Sequence, residues 1–163
     1  MTDSTMNMKP IKIAIIALAG FFSFLGAMLL FFTDFGWWNV GYSWNYYFFI
    51  GSEMAPIWAQ LALVLFALIF LVNTLVAILL IVGQFGKIPV KFTKLLNFGG
   101  IAIAVITFVF SALYVGLFAI FAAGWWWGLS TSFYSSLICS ILIGIFYILA
   151  LVIKLPEEPM PAK

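Results

Sequence analysis

Residues 84–100 read QFGKIPVKFTKLLNFGG, Gln84 to Gly100, and they decide how the chain is threaded. The segment carries Lys87, Lys91 and Lys94 and separates two long apolar stretches. Short loops rich in Lys or Arg stay on the cytoplasmic side of a membrane. With this loop inside, each neighbouring run has to cross the bilayer, and the chain becomes two helical hairpins. Pro89 forbids one continuous helix through the segment, because it lacks an amide donor and clashes with the preceding turn.

Composition leaves little alternative to a bilayer. Of 163 residues, 66% are hydrophobic and 7% charged, and the mean hydropathy is +1.24. A soluble domain carries roughly 25% charged residues, so no water-exposed surface can be built from this supply. The length suits one domain of about four spans at about 20 apolar residues each. A net charge of +2 is too small for a nucleic-acid footprint. All seven basic residues are Lys, so there is no bidentate fork for phosphate or carboxylate. Histidine is absent, which removes the usual haem and transition-metal ligand and the side chain that titrates near neutrality. Cys139 is the single cysteine and lies in an apolar run, so it reads as a small packing residue and no intramolecular disulfide can form. No catalytic residue, cofactor or metal is expected.

The expected fold is an all-α integral-membrane domain over 1–163, a four-transmembrane-helix bundle with two aromatic-rich outer loops. The spans are placed at about 13–33, 57–83, 98–122 and 136–154. Outer loops fall at 34–56 and 123–135, the cytoplasmic loop at 84–97 and the C-terminal tail at 155–163. Lys9 and Lys12 precede the first run, which is too long for a signal-peptide core and has no clear small-x-small cleavage site, so a retained helix is expected. Threaded this way, Lys9, Lys12, Lys87, Lys91, Lys94, Lys154 and Lys163 share one side, which puts both termini in the cytoplasm and the protein in the cell membrane.

The first outer loop has no Lys, holds Asp34 and Glu53, and is crowded with Trp37, Trp38, Tyr42, Trp44, Tyr46 and Tyr47. Periodicity over Tyr46 to Ile50 does not decide between a short strand and an interfacial helix. The second loop repeats the theme with Trp125, Trp126 and Trp127. Trp and Tyr collect at the membrane–water boundary, and they also form interface hot spots, so these loops are candidates for contact with lipid or partner. Asp34 and Glu53 read first as solvated loop charges, with a cation or acid–base role as the alternative. An echo at an offset of 88 positions pairs Phe22-Ser23-x-Leu25 with Phe110-Ser111-x-Leu113, and Gly36-Trp37-Trp38 with Gly124-Trp125-Trp126. Hairpin duplication and biased composition account for it equally well.

Within the spans, small residues at four-residue spacing let helices approach closely. Ala19, Ser23 and Ala27 form such a stripe on the first helix, Ala112 and Gly116 on the third, and Ser136, Ser140 and Gly144 on the fourth. These faces are expected to meet inside a left-handed bundle, with the bulkier second helix or the outer side of the fourth turned to lipid or another subunit. Asn73, at mid-membrane depth, reads as interhelical glue, with a polar path or pocket as the alternative. No Asp, Glu, Lys or Arg lies inside a span, Lys154 only anchoring the end of the fourth, which disfavours a coupled transporter.

Four spans with both ends inside, a longer first outer loop and a short basic inner loop resemble the claudin and peripheral-myelin-protein tetraspans. The likeness is carried by Lys94-x-x-Asn97-x-Gly99-Gly100-Ile101 entering the third helix, Trp125-Trp126 closing it, Phe133-Tyr134 before the fourth, and Trp37 or Trp38 after the first. The family's Gly-Leu-Trp motif and the two cysteines that follow it have no counterpart here. A MARVEL-type tetraspan is similar to nearly the same degree. Either resemblance implies a non-enzymatic structural or accessory subunit that associates laterally with itself or with other membrane proteins, as a homo- or hetero-oligomer among membrane lipids. The alternative is a small pore or carrier for a small or apolar solute, lined by Asn73, Gln60 and helix hydroxyls.

Overall fold

Within each long apolar run the residues that turn inward recur at alternating steps of three and four. On the first run these are Ile16, Ala19, Ser23, Gly26 and Leu30, and on the second Leu63, Phe66, Phe70, Asn73, Ala77 and Leu80. The third run contributes Asn97, Gly100, Ala104, Thr107, Ser111, Tyr114 and Phe118. A repeat averaging 3.5 residues keeps one seam facing its neighbours and imposes a left-handed supercoil.

A computed structural model describes residues 8–39, 45–53 and 55–153. In chain order it contains α1 (Met8–Phe32), β1 (Gly36–Asn39), β2 (Asn45–Phe48), α2 (Ile57–Gln84), α3 (Val90–Phe121), β3 (Trp126–Leu129) and α4 (Thr131–Val152). All four helices are long and apolar enough to cross a membrane, the architecture of a multi-pass integral-membrane protein. They pack as a ring in which α1 adjoins α2 and α4, and α3 closes the circle between α2 and α4.

The lysines of the described residues gather at one end of this ring. Lys12 donates from Nζ to the Ile153 carbonyl at 3.0 Å, where α4 ends and its carbonyls carry partial negative charge. Lys9 lies 5.5 Å from the centroid of the Phe85 ring, beside the end of α2. Lys87 sits in the turn between α2 and α3, which is closed by Gly86 in the left-handed region at φ +73. Lys154, Lys163 and the tail lie outside the described residues.

Three boundaries differ from the sequence expectation. α1 begins at Met8, α3 at Val90 and α4 at Thr131, so Lys91 and Lys94 stand exposed on the first turns of α3 and not in a loop. Pro89 caps α3 at its N-terminus and starts the helix there instead of merely breaking it. At 1.5 Å per residue the 32 residues of α3 span about 48 Å, well beyond a hydrocarbon core of about 30 Å. Helix therefore extends past the apolar run that marks a span in the sequence.

The two aromatic loops are also not purely irregular. β1 pairs antiparallel with β2 on one side and with β3 on the other, in the order β2-β1-β3, so both loops contribute to one sheet. Alternation along β1 buries Gly36 and Trp38 against the bundle and turns Trp37 and Asn39 the other way. Beneath the sheet, Phe48 stacks on Tyr114 and Phe118 at centroid distances of 6.0 and 5.7 Å, and Trp38 meets Phe121 at 5.2 Å.

Among the described glycines the least room for a side chain is at Gly100, where an added Cβ would lie 2.5 Å from Cε2 of Tyr147. At the neighbouring Gly99 an added Cβ would meet nothing within 4 Å. Gly100→Val is expected to destabilise the bundle by about 1–3 kcal/mol, while Gly99→Val leaves it within about 0.5 kcal/mol, as read by denaturant titration in detergent.

Candidate functional site

Hydrogen-bonding side chains cluster along the bundle axis in three layers, and the one nearest the lysine-bearing end is built on Asn73. A lone amide in hydrocarbon costs several kcal/mol unless it is bonded. Asn73 is fully buried on α2, and its Nδ2 donates to Ser23 Oγ on α1 at 3.1 Å. Ser23 in turn donates back to the Ala19 carbonyl at 2.8 Å. From α4, the Tyr147 hydroxyl reaches both the Asn73 carbonyl and Oδ1 at 3.2 Å. The ring of Tyr147 occupies the space left by Gly100 on α3, and Asn97 Nδ2 donates to the Tyr147 carbonyl at 3.1 Å. One layer thus touches all four helices.

The second layer joins α3 to α4. Ser140 Oγ donates to Thr107 Oγ1 at 2.9 Å, and Ser111 and Ser136 share a hydrogen bond at 3.1 Å. Their remaining bonds run to carbonyls of their own helices, as serine and threonine do in apolar surroundings. The third layer lies beneath the sheet. Ser132 Oγ sits 2.6 Å from Thr33 Oγ1 and also reaches the Leu29 and Thr33 carbonyls at 2.8 and 2.9 Å. Backbone bonds from Ser130 to Phe35 and from Ser132 to Asp34 complete that junction. Nearby, the Tyr114 hydroxyl donates to the Ala59 carbonyl, tying α3 to α2.

The residues singled out from sequence divide between inside and outside. Ala19, Ser23, Ala27, Asn73, Ser136 and Ser140 are buried between helices. Gly144 faces α3, where an added Cβ would sit 3.7 Å from Ala104 Cβ. Ala112 and Gly116 are a correction, for both point away from the bundle. The inward stripe of α3 is instead Gly100, Ala104, Thr107 and Ser111. Small residues occur on both faces of α3, and four-residue spacing alone does not choose between them.

Trp38 is a second correction to the expected partner-facing set. It is 4% exposed and stacks on Tyr46 at 5.6 Å, because strand alternation turns it under the sheet. Trp127 is half-buried and meets Phe118 edge-on at 5.6 Å. Trp37 is half-buried above Gly128, where an added Cβ would lie 2.8 Å from its indole. Trp125 and Trp126 are exposed, the latter at 84%. Trp44 and Tyr42 lie outside the described residues. Gln60, a candidate pore residue, is a clamp at the end of the first loop. Its Nε2 donates to the Ser52 and Ala55 carbonyls at 2.7 and 3.0 Å, and its Oε1 accepts from the Gly51 amide at 2.9 Å.

Tyr147, Tyr114, Ser132 and Asn97 carry the axis and were not marked as candidates by spacing. The available signal is a hydroxyl within an apolar run at Tyr147, since a buried tyrosine hydroxyl needs a partner. Asn97 Oδ1 is the one buried polar side-chain atom without a partner among the described residues. No group of three or more His, Cys, Asp or Glu that could hold a metal occurs among the described residues. The chain matches no protein-family model, no curated protein and no solved structure.

In a double-mutant cycle on Tyr147→Phe and Asn73→Leu, unfolded reversibly in detergent, the coupling energy is expected at about 0.6–1.7 kcal/mol. Additive effects would show that the Tyr147 hydroxyl does not hold Asn73.

Proposed function

We propose that this protein is a small, non-enzymatic structural or accessory subunit of the claudin or MARVEL tetraspan kind. It associates laterally with itself or with other membrane proteins, with its lysine-bearing end and both termini in the cytoplasm of the cell. The observation that carries this reading is where the small residues go. Ser23, Asn73, Ser136 and Ser140 are consumed by bonds within the bundle. Ala112 and Gly116 remain outward on α3, with nothing among the described residues, its own helix backbone aside, within 4 Å of a Cβ added at Gly116. α3 is also the least enclosed of the four helices. An outward small-residue pair one turn apart on an apolar helix is where a second helix approaches most closely.

The exposed Trp126 on β3 and Trp125 just before it support a contact surface at the sheet end. The pore reading draws no support from Gln60, whose amide is spent on its own loop. Asn73 likewise bridges helices.

Native gel or native mass spectrometry of the protein gently extracted from its own membrane is expected to show an oligomer or a bound membrane partner. Ala112→Leu with Gly116→Leu should convert that species to monomer by at least tenfold in apparent affinity, about 1.4 kcal/mol, without loss of fold. A lone wild-type monomer overturns the reading. An impermeant amine reagent applied to intact cells is expected to leave Lys91 unmodified, and ready labelling there would reverse the threading.

A further inference from the structure

At the sheet end, where α1 finishes and α4 begins, the surface opens into a groove of about 500 Å³. Phe31 and Phe32 form its membrane side, Tyr47 and Phe49 form a second aromatic wall, and Asp34 and Thr131 supply its polar groups. Its size falls within the range of small-molecule sites, about 300–1,000 Å³.

The charge in this groove is uncompensated. The Asp34 backbone carbonyl accepts from Ser132, but no hydrogen bond or ion pair reaches its carboxylate among the described residues. The lysines of the described residues gather at the other end of the bundle, the nearest along α1, Lys12, about 30 Å from Phe32 at 1.5 Å per residue. A single carboxylate does not make a calcium or magnesium site, which takes several oxygen ligands. Aromatic faces combined with one anion suit an organic cation, above all a quaternary ammonium. The vertical order is also informative. Phe31 and Phe32 end a membrane-spanning helix, and Asp34 follows two residues later, so the groove is apolar on its bilayer side and anionic on its water side. At the same level the N-terminus of α4 at Thr131 carries partial positive charge.

We propose that this groove holds the headgroup of a choline phospholipid from the adjoining leaflet. The trimethylammonium sits by the Asp34 carboxylate with its methyls on the Tyr47 and Phe49 rings. The phosphate faces Thr131 at the start of α4, and an acyl chain descends along Phe31 and Phe32.

The test uses the full chain in nanodiscs of phosphatidylcholine and phosphatidylglycerol with matched acyl chains in equal parts, released for native mass spectrometry. The wild-type protein is expected to retain one choline lipid, enriched about tenfold over the glycerol lipid. Asp34→Asn should bring that enrichment down to the nanodisc ratio, and Glu53→Gln, an exposed acid away from the groove, should leave it intact. Phe32→Ala should lower it as well. Because the Phe32 ring is 80% exposed, its removal takes nothing from the core, and this variant carries the test if Asp34→Asn does not fold. Retention in the bulk ratio by the wild type, or undiminished enrichment in Asp34→Asn or Phe32→Ala, overturns the proposal. In a second set of nanodiscs with phosphatidylethanolamine in place of the glycerol lipid, equal retention of phosphatidylethanolamine, whose ammonium lacks the methyls, overturns it too.

Discussion

The phenol of Tyr147 crosses the bundle to Asn73 while its ring fills the gap at Gly100, and the relative height of the helices depends on this contact. In a bilayer, lipid tails are as apolar as leucine, so burying leucine between helices gives little drive to associate. Close packing and the bonding of polar groups have to choose the arrangement. Sliding α4 by one turn, about 5.4 Å, would strand the Tyr147 hydroxyl and Asn73 Oδ1 together. It would also take Ser136 and Ser140 away from Ser111 and Thr107. Each layer therefore enforces the register that the others require. The energy of any one bond is small, but the penalty for misplacing all of them at once is not.

The helical part of this architecture is legible in the chain because its signal is local. An apolar run of sufficient length forces a helix in hydrocarbon, where no other strand-free backbone satisfies its own hydrogen bonds. The lysines at Lys9, Lys12, Lys87, Lys91 and Lys94 order the runs into hairpins without any knowledge of contacts. Asn73 stands out because an amide is rare in such surroundings, and in the fold it bonds to Ser23 and Tyr147. The faces of α3 were not legible. Ala112 and Gly116 and the pair Gly100 and Ala104 satisfy the same spacing rule, and only the partner helix distinguishes them. Tyr147 was hidden for the same reason, since its acceptor lies 74 positions away.

The sheet shows a different limit. Strands β1 and β2 are close in sequence, but β3 joins β1 from the far side of two helices, and no periodicity in either loop announces that pairing. Its residues carry the composition of strands, rich in Trp, Tyr and Phe. Their anchor is a layer of rings from α3 and α4: Tyr114, Phe118, Phe121 and Phe133. Aromatic packing and the Thr33–Ser132 junction hold the loops down in a chain whose single cysteine, Cys139, is buried and free. This also explains why Trp37 and Trp38, adjacent in sequence, end on opposite sides of the strand.

The bonds that join the N-terminal half to the C-terminal half do not pass through the tight turn at Phe85–Pro89. Asn73 with Tyr147, Ala59 with Tyr114, Thr33 with Ser132, and β1 with β3 all bridge the two halves in space. The covalent link at Gly86 carries none of these bridging contacts. Severed there, the protein would remain a co-assembled pair of fragments, each already a complete membrane insert, with recognition between them written in a phenol, an amide and a strand.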